Sequence, residues 1–160
     1  MALKNIYIIT LLVAAFFVSC HSAKNACRKS TKNTYISIEQ TACFGECPIY
    51  KLTVDGNGSA LLDARRFMDS IGVFEAKVNS DTVCVTFAEA KKCKWETYDE
   101  EYISGYSDVP ATVIQYSTNQ RDTFTVRFQG ERAPLQLLWI TERLKSIKGA
   151  VKWKLKSESI

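Results

Sequence analysis

Apolar and polar residues alternate along much of the chain after Thr34. Ile36 and Ile38 share one face of an extended segment, as a strand requires. Tyr50, Leu52 and Val54 alternate with Lys51, Thr53 and Asp55, and Ala60, Leu62 and Ala64 repeat the pattern. Asp55-Gly56-Asn57-Gly58 stands between those two runs. It predicts a hairpin turn, because Gly and Asn accept positive φ. Ser59 to Phe67 reads as the returning strand, Asp69 to Gly72 turns the chain, and Phe74, Ala76 and Val78 begin a further alternating set. The first half is therefore expected to be a meander of antiparallel strands.

The period then changes. From Ser80 to Lys92, Val83, Phe87 and Ala90 share a helical face, and Asn79 or Ser80 can cap it. Val83, Val85 and Phe87 also alternate, but Ala88-Glu89-Ala90-Lys91-Lys92 is strongly helix-forming, so a helix is expected. Trp95, Tyr98 and Tyr102 follow in a polar stretch that reads as a loop packed by its aromatics. A second hairpin is expected to set Val113 and Gln115 against Phe124, Val126 and Phe128, with its turn at Thr118 to Arg121. Pro134 suits a first helical position, Leu137, Ile140, Leu144 and Ile147 form a buried stripe, and Gly149 ends the helix. Val151, Trp153 and Leu155 then alternate with three lysines, as in a short final strand with a charged edge. The other reading of those lysines is a basic row for anionic glycans.

This order predicts an α+β fold in two layers: one antiparallel sheet of about six strands, β-β-β-β-α-β-β-α with the short final strand, and both helices on one face.

The N-terminal segment has a different pattern. Lys4 precedes a short apolar run from Ile6 to Val18, less than the about 20 residues a spanning helix needs. Residues 1–19 read as a secretory signal. Phe17-Val18-Ser19-Cys20 resembles a bacterial lipobox, which implies cleavage before Cys20 and acylation of its sulfur. Without acylation, the same segment would be an ordinary signal peptide or anchor helix. Asp is absent at the position after Cys20, and no acidic run follows. This resembles the pattern of lipoproteins sorted to the outer membrane and facing the periplasm. Residues 20–33 are polar and basic, as in a flexible tether, and residues 34–160 are long enough for a single domain. The tether lysines are expected to be solvated, with anionic headgroups as the alternative partner. A net charge of +4, spread along the chain, does not mark a nucleic-acid binder.

Much catalytic chemistry has no candidate residues. His21, in the tether, is the one histidine, so His-based acid–base catalysis, Ser-His-Asp triads and His-rich metal sites are not expected. Phosphate loops, dinucleotide fingerprints and nucleophile elbows are missing from the sequence. Asp99, Glu100 and Glu101 run together between tyrosines, which reads as a solvated acidic turn rather than a pair facing across a cleft. No enzyme activity and no cofactor are expected.

The cysteines carry the remaining chemistry. With Cys20 acylated, Cys27, Cys43, Cys47, Cys84 and Cys93 remain, an odd number that leaves at least one free or intermolecular thiol. An oxidising envelope permits disulfides. Cys43 and Cys47 are the expected pair, because Gly45 can turn the loop between them and Pro48 can stiffen it. Cys84 and Cys93 would point to opposite sides of one helix, and Cys84 reads as a small buried apolar residue. Two other readings of Cys43 and Cys47 stay open. One is a redox dithiol, although these residues lie between strands rather than at a helix N-terminus. The other is metal: Cu(I) on the two soft thiolates, or a four-cysteine zinc site that adds Cys84 and Cys93, for which the spacing is not a recognisable one. Cys43-Phe44-Gly45-Glu46-Cys47-Pro48 resembles the loop of Sco-type copper chaperones, but the distant histidine and thioredoxin-like core of that family are not seen.

The stretch Thr41-Ala42-Cys43-Phe44-Gly45-Glu46-Cys47-Pro48-Ile49-Tyr50, followed by a Gly-containing hairpin, resembles domain-of-unknown-function family 6438. Thr41, Cys43, Phe44, Gly45, Cys47, Pro48 and Tyr50 match its pattern, and Asp108 with Pro110 is similar to a later segment. The resemblance implies a small exported, often lipidated protein of the Bacteroidota, and it names no activity. Taken together, these readings predict an outer-membrane-anchored lipoprotein that acts by binding or as a structural module. Its expected partners are the membrane, through Cys20, and an unidentified envelope protein or ligand. Phe44, Glu46, Tyr50, Asp108 and Pro110 are the candidate contact residues. A thiol-redox or copper-handling protein using Cys43 and Cys47 is the alternative.

Overall fold

A computed structural model describes residues 33–106, 108–118 and 122–158. Four strands come first: β1 (Tyr35–Gln40), β2 (Ile49–Asp55), β3 (Ser59–Arg66) and β4 (Gly72–Lys77). Helix α1 (Ser80–Lys92) and a 3₁₀ turn (Trp95–Thr97) follow. Then come β5 (Glu101–Tyr102), β6 (Ala111–Thr118), β7 (Asp122–Gln129), α2 (Leu135–Ala150) and β8 (Lys154–Ser157). The strands form one sheet in the order β5-β7-β6-β1-β2-β3-β4-β8.

The α+β class and the two helices agree with the sequence, but the sheet is larger than expected and mixed. Its eight strands include β5, which runs parallel to β7 and pairs Glu101 with Arg127 and Tyr102 with Phe128. A strand of two residues has no alternation to detect, so the acidic stretch gave no sign of it. The final strand pairs with β4 at the other edge, and Lys154 and Lys156 lie along it.

Alternation explains the core. Ile36 lies opposite Val54 on one side and Tyr116 on the other, and Ile38 lies opposite Leu52 and Ile114. This face is covered by Val83, Phe87 and Ala90 of α1 and by Leu137, Ile140, Leu144 and Ile147 of α2, in one buried cluster. Full burial of each large aliphatic side chain contributes about 1.5–3 kcal/mol. The second hairpin is shifted by one residue from expectation. Ile114 and Tyr116 oppose Val126 and Phe124 in the core, while Val113 and Gln115 lie on the outer face. Facing Ile38 and Ile36 of β1 buries more apolar surface in this register than the alternative would.

Helix α1 starts where the side chain of Asn79 accepts from the backbone N–H of Asp81 at 2.8 Å. Pro134 occupies the cap of α2 rather than its first turn. That helix runs one residue past Gly149 and stops at Val151, which is extended. The Trp153 indole donates to the Lys148 carbonyl at 3.0 Å, satisfying a helix-end acceptor.

The outer face of the sheet is polar. Glu39 opposes Lys51, Lys51 opposes Asp63, and Arg65 bridges Glu39 and Asp63. Alternating charges across strands favour this register and need no second covering layer. Among the described residues, no helix is long and apolar enough to cross a membrane.

The sheet has two ends. The β1–β2 loop and the segment before β6 lie at one. The 55–58 hairpin, the entry of the chain at Thr34 and the start of α1 lie at the other. There, Gly56 N–H donates to Thr34 and Val78 N–H donates to Gly58, both at 2.9 Å. About 20 Å of β1 separates the two ends.

Candidate functional site

The loop between β1 and β2 is closed covalently. Cys43 and Cys47 are bonded, with their Cα atoms 5.8 Å apart. Gly45, between them, has φ +155°, a conformation that L side chains rarely adopt. The ring leaves Phe44 94% exposed, and Glu46 is exposed beside it.

A second segment supports this ring. Phe44 N–H donates to the Asp108 carbonyl at 3.2 Å. Thr41 N–H donates to the Ala111 carbonyl, and Ala111 N–H donates back to the Thr41 hydroxyl, both at 2.9 Å. Asp108 is exposed and Pro110 is half-buried. Tyr106 and Val109 add exposed apolar surface on the same segment.

Gln129, the last residue of β7, holds that segment from within. Its Oε1 accepts from the backbone N–H and the hydroxyl of Ser104, both at 2.7 Å. Its Nε2 donates to the carbonyls of Tyr106 (3.3 Å) and Val109 (3.0 Å). Sequence reasoning missed Gln129. A lone polar residue at a strand end looks like surface, and the one available signal was its position directly before Gly130.

Tyr50 departs from the expected contact set. It is 4% exposed, and the Lys148 ammonium lies 4.3 Å from its ring centroid. Burial raises its pKa, and Glu142 adds to the effect. Tyr50 therefore anchors the motif strand to α2 and offers no contact surface.

The other cysteines also differ from one another. Cys84 is half-buried and disulfide-bonded, so it is not the inert apolar residue expected. Cys93 is a free thiol whose pKa is raised by burial, while its bond to Tyr98 pulls the other way. The raised pKa disfavours the thiolate a nucleophile needs. Among the described residues, no three His, Cys, Asp or Glu side chains converge as metal ligands. Asp99, Glu100 and Glu101 are exposed. Cys20, Cys27 and the tether lie outside the described residues.

The model of the family described as Domain of unknown function (DUF6438) matches residues 34–148. The chain belongs to this family. In the DUF6438 fold seen here, the match runs from the start of β1 through nearly all of α2, so it includes the disulfide ring, the Asp108 segment and Gln129. It leaves out β8 and the tether. No curated protein matches the chain.

Proposed function

We propose that this DUF6438 chain is a non-enzymatic binding or structural module of the cell envelope. Acyl chains on Cys20 would hold it to the outer membrane, facing the periplasm, with residues 1–19 removed as a signal and residues 20–33 serving as tether. The partner would be another envelope protein, met by the ring of Cys43 to Cys47 and the neighbouring segment from Tyr106 to Pro110.

One observation carries this reading: an almost fully exposed Phe44 on a ring closed by a disulfide and tied to a second loop. An apolar side chain of this size is costly to leave in water, and aromatic anchors dominate protein interfaces. A ring that is already closed also loses little backbone freedom on binding. Phe44 and Glu46 would make the contact, with Asp108 and Pro110 shaping its border.

The test is capture from envelope extract by the full chain, compared with the double variant Phe44→Ala/Glu46→Ala. Loss of a retained protein in the variant supports the surface, and an unchanged set of retained proteins rules it out. The copper reading requires Cys43 and Cys47 as thiolates, whereas a redox dithiol would also pass through the bonded form seen here. Two additional titrating thiols together with Cu(I) uptake by the isolated protein would favour that reading instead.

A further inference from the structure

We propose that the cleft beside the 55–58 hairpin binds an anionic glycan, with its acid groups on Lys77, Lys152 and Lys154 and its hydroxyls on Asp55 and Glu75.

A cleft of ≈ 1020 Å³ opens between β4, the start of α1 and the chain that leads from α2 into β8. Small-ligand sites measure about 300–1,000 Å³, so there is room for a short run of sugars. The cleft lies away from Phe44, and its ligand is independent of the contact surface proposed above.

Its shape comes from a strand that outruns its neighbour. Strand β8 pairs with β4 from Val73 to Glu75, and β4 continues to Lys77. The Val78 N–H donates to the Gly58 carbonyl on the β3 side. Backbone groups alternate in direction along an antiparallel strand. The N–H and C=O of Lys77 therefore face the other way, where β8 has not begun.

Four lysines, Lys77, Lys152, Lys154 and Lys156, line the cleft against two carboxylates, Asp55 and Glu75. Lys154 and Lys156 project from the same side of β8, about 7 Å apart. Protection of an exposed sheet edge accounts for those two. It does not account for Lys77, on another strand, or for Lys152, which precedes β8. Lys77 donates to the Ser59 hydroxyl at 2.8 Å. Lys156 lies 3.9 Å from Glu75, and both are solvated, so that pair holds neither firmly. Among the described residues, Lys152 and Lys154 make no ion pair. Like charges gathered around a cleft draw in the opposite charge.

The carboxylates decide the class of anion. An ammonium only donates hydrogen bonds and a carboxylate only accepts them. Sugar hydroxyls do both, so lysines and carboxylates together suit an acid that also carries hydroxyls. A polyanion without hydroxyls gains nothing from Asp55 and Glu75 and is repelled by them. Thr82, at the start of α1, adds a hydroxyl of its own to the lining.

Titration of the full chain, purified in detergent, with fluorescent polygalacturonate and phosphomannan tests this. At least one should bind, and the one that binds identifies the acid as carboxylate or phosphate. Lys152→Glu/Lys154→Glu should weaken that binding at least tenfold without moving Tm, because both side chains are exposed. Polyaspartate of equal charge should bind at least tenfold more weakly than the glycan. Phe44→Ala/Glu46→Ala should leave glycan binding unchanged. Failure of both glycans to bind overturns the proposal. Equal binding of polyaspartate reduces the cleft to a basic patch and overturns the glycan. Full affinity in the double lysine variant, or its loss in Phe44→Ala/Glu46→Ala, places the ligand elsewhere and overturns the cleft.

Discussion

The backbone N–H of Phe44 donates to the carbonyl of Asp108 at 3.2 Å. This bond joins the two segments on which the family pattern is recognised, and it leaves the Phe44 ring in solvent. The side chain therefore contributes little to folding. Phe44→Ala is expected to move the urea midpoint by less than about 0.5 kcal/mol of stability. A loss well above that would mean the ring packs as part of the structure and is not a free contact.

Gln129 is expected to matter more for the shape of the site. Its amide makes four hydrogen bonds to the segment carrying Asp108. Gln129→Ala leaves several of these groups without a partner and should cost about 1–3 kcal/mol. Amide hydrogen exchange should accelerate from Ser104 to Val109 and remain slow in β1. If exchange in that segment is unchanged, the side chain is not what holds it.

The ring from Cys43 to Cys47 should add only modestly to stability. Its sequence separation is 4, so chain entropy assigns it about 2 kcal/mol. A denaturant melt of Cys43→Ser/Cys47→Ser should show a loss of that size. A loss above about 4 kcal/mol would mean that the disulfide also holds the neighbouring segment in place.

Trp95 knits the helix layer to β6 and β7. It is buried, stacks on Tyr116 with centroids 5.1 Å apart, and donates to the Ala90 carbonyl at 2.8 Å. Trp95→Ala should cost about 3–5 kcal/mol, and Trp95→Phe less, because it keeps most of the stacking. Near-ultraviolet circular dichroism and a urea melt would read both effects.

Alkali should weaken the domain. Burial, then the charge and bond of Cys93, raise the pKa of Tyr98 from 10.0 to about 12. The native state thus keeps this proton longer than the unfolded chain. The resulting stability is fully present below pH 10 and is lost as pH rises through 12. Burial raises Tyr50 and Tyr116 in the same direction. Lys148 acts at lower pH: burial lowers its pKa below 10.5, so its contribution grows with pH up to 10.5 and is flat above it. The urea midpoint should fall between pH 10 and 12, and Cys93→Ala should bring the tyrosinate absorbance of Tyr98 in at lower pH.

Local features were legible from the residues alone. Asp55-Gly56-Asn57-Gly58 specifies a hairpin wherever it stands, because few other residues accept its dihedrals. Asn79 and the apolar spacing to Ala90 delimit α1, and Leu137, Ile140, Leu144 and Ile147 mark the buried stripe of α2. The Cys43 to Cys47 ring follows from proximity in sequence. Distant partners decided the rest. Alternation in β6 admits either face, and Ile36 and Ile38 of β1 select Ile114 and Tyr116 over Val113 and Gln115. Strand β5 exists because Glu101 and Tyr102 lie beside β7, not because two residues prefer to be extended. Tyr50 belongs to the family motif, yet it serves the core, because α2 folds over it and brings Lys148 to its ring. Gln129 becomes the support of the site once β7 ends beneath the loop from Ser104 to Val109. A strand's period tells which residues share a face. What covers that face depends on contacts made across the whole chain.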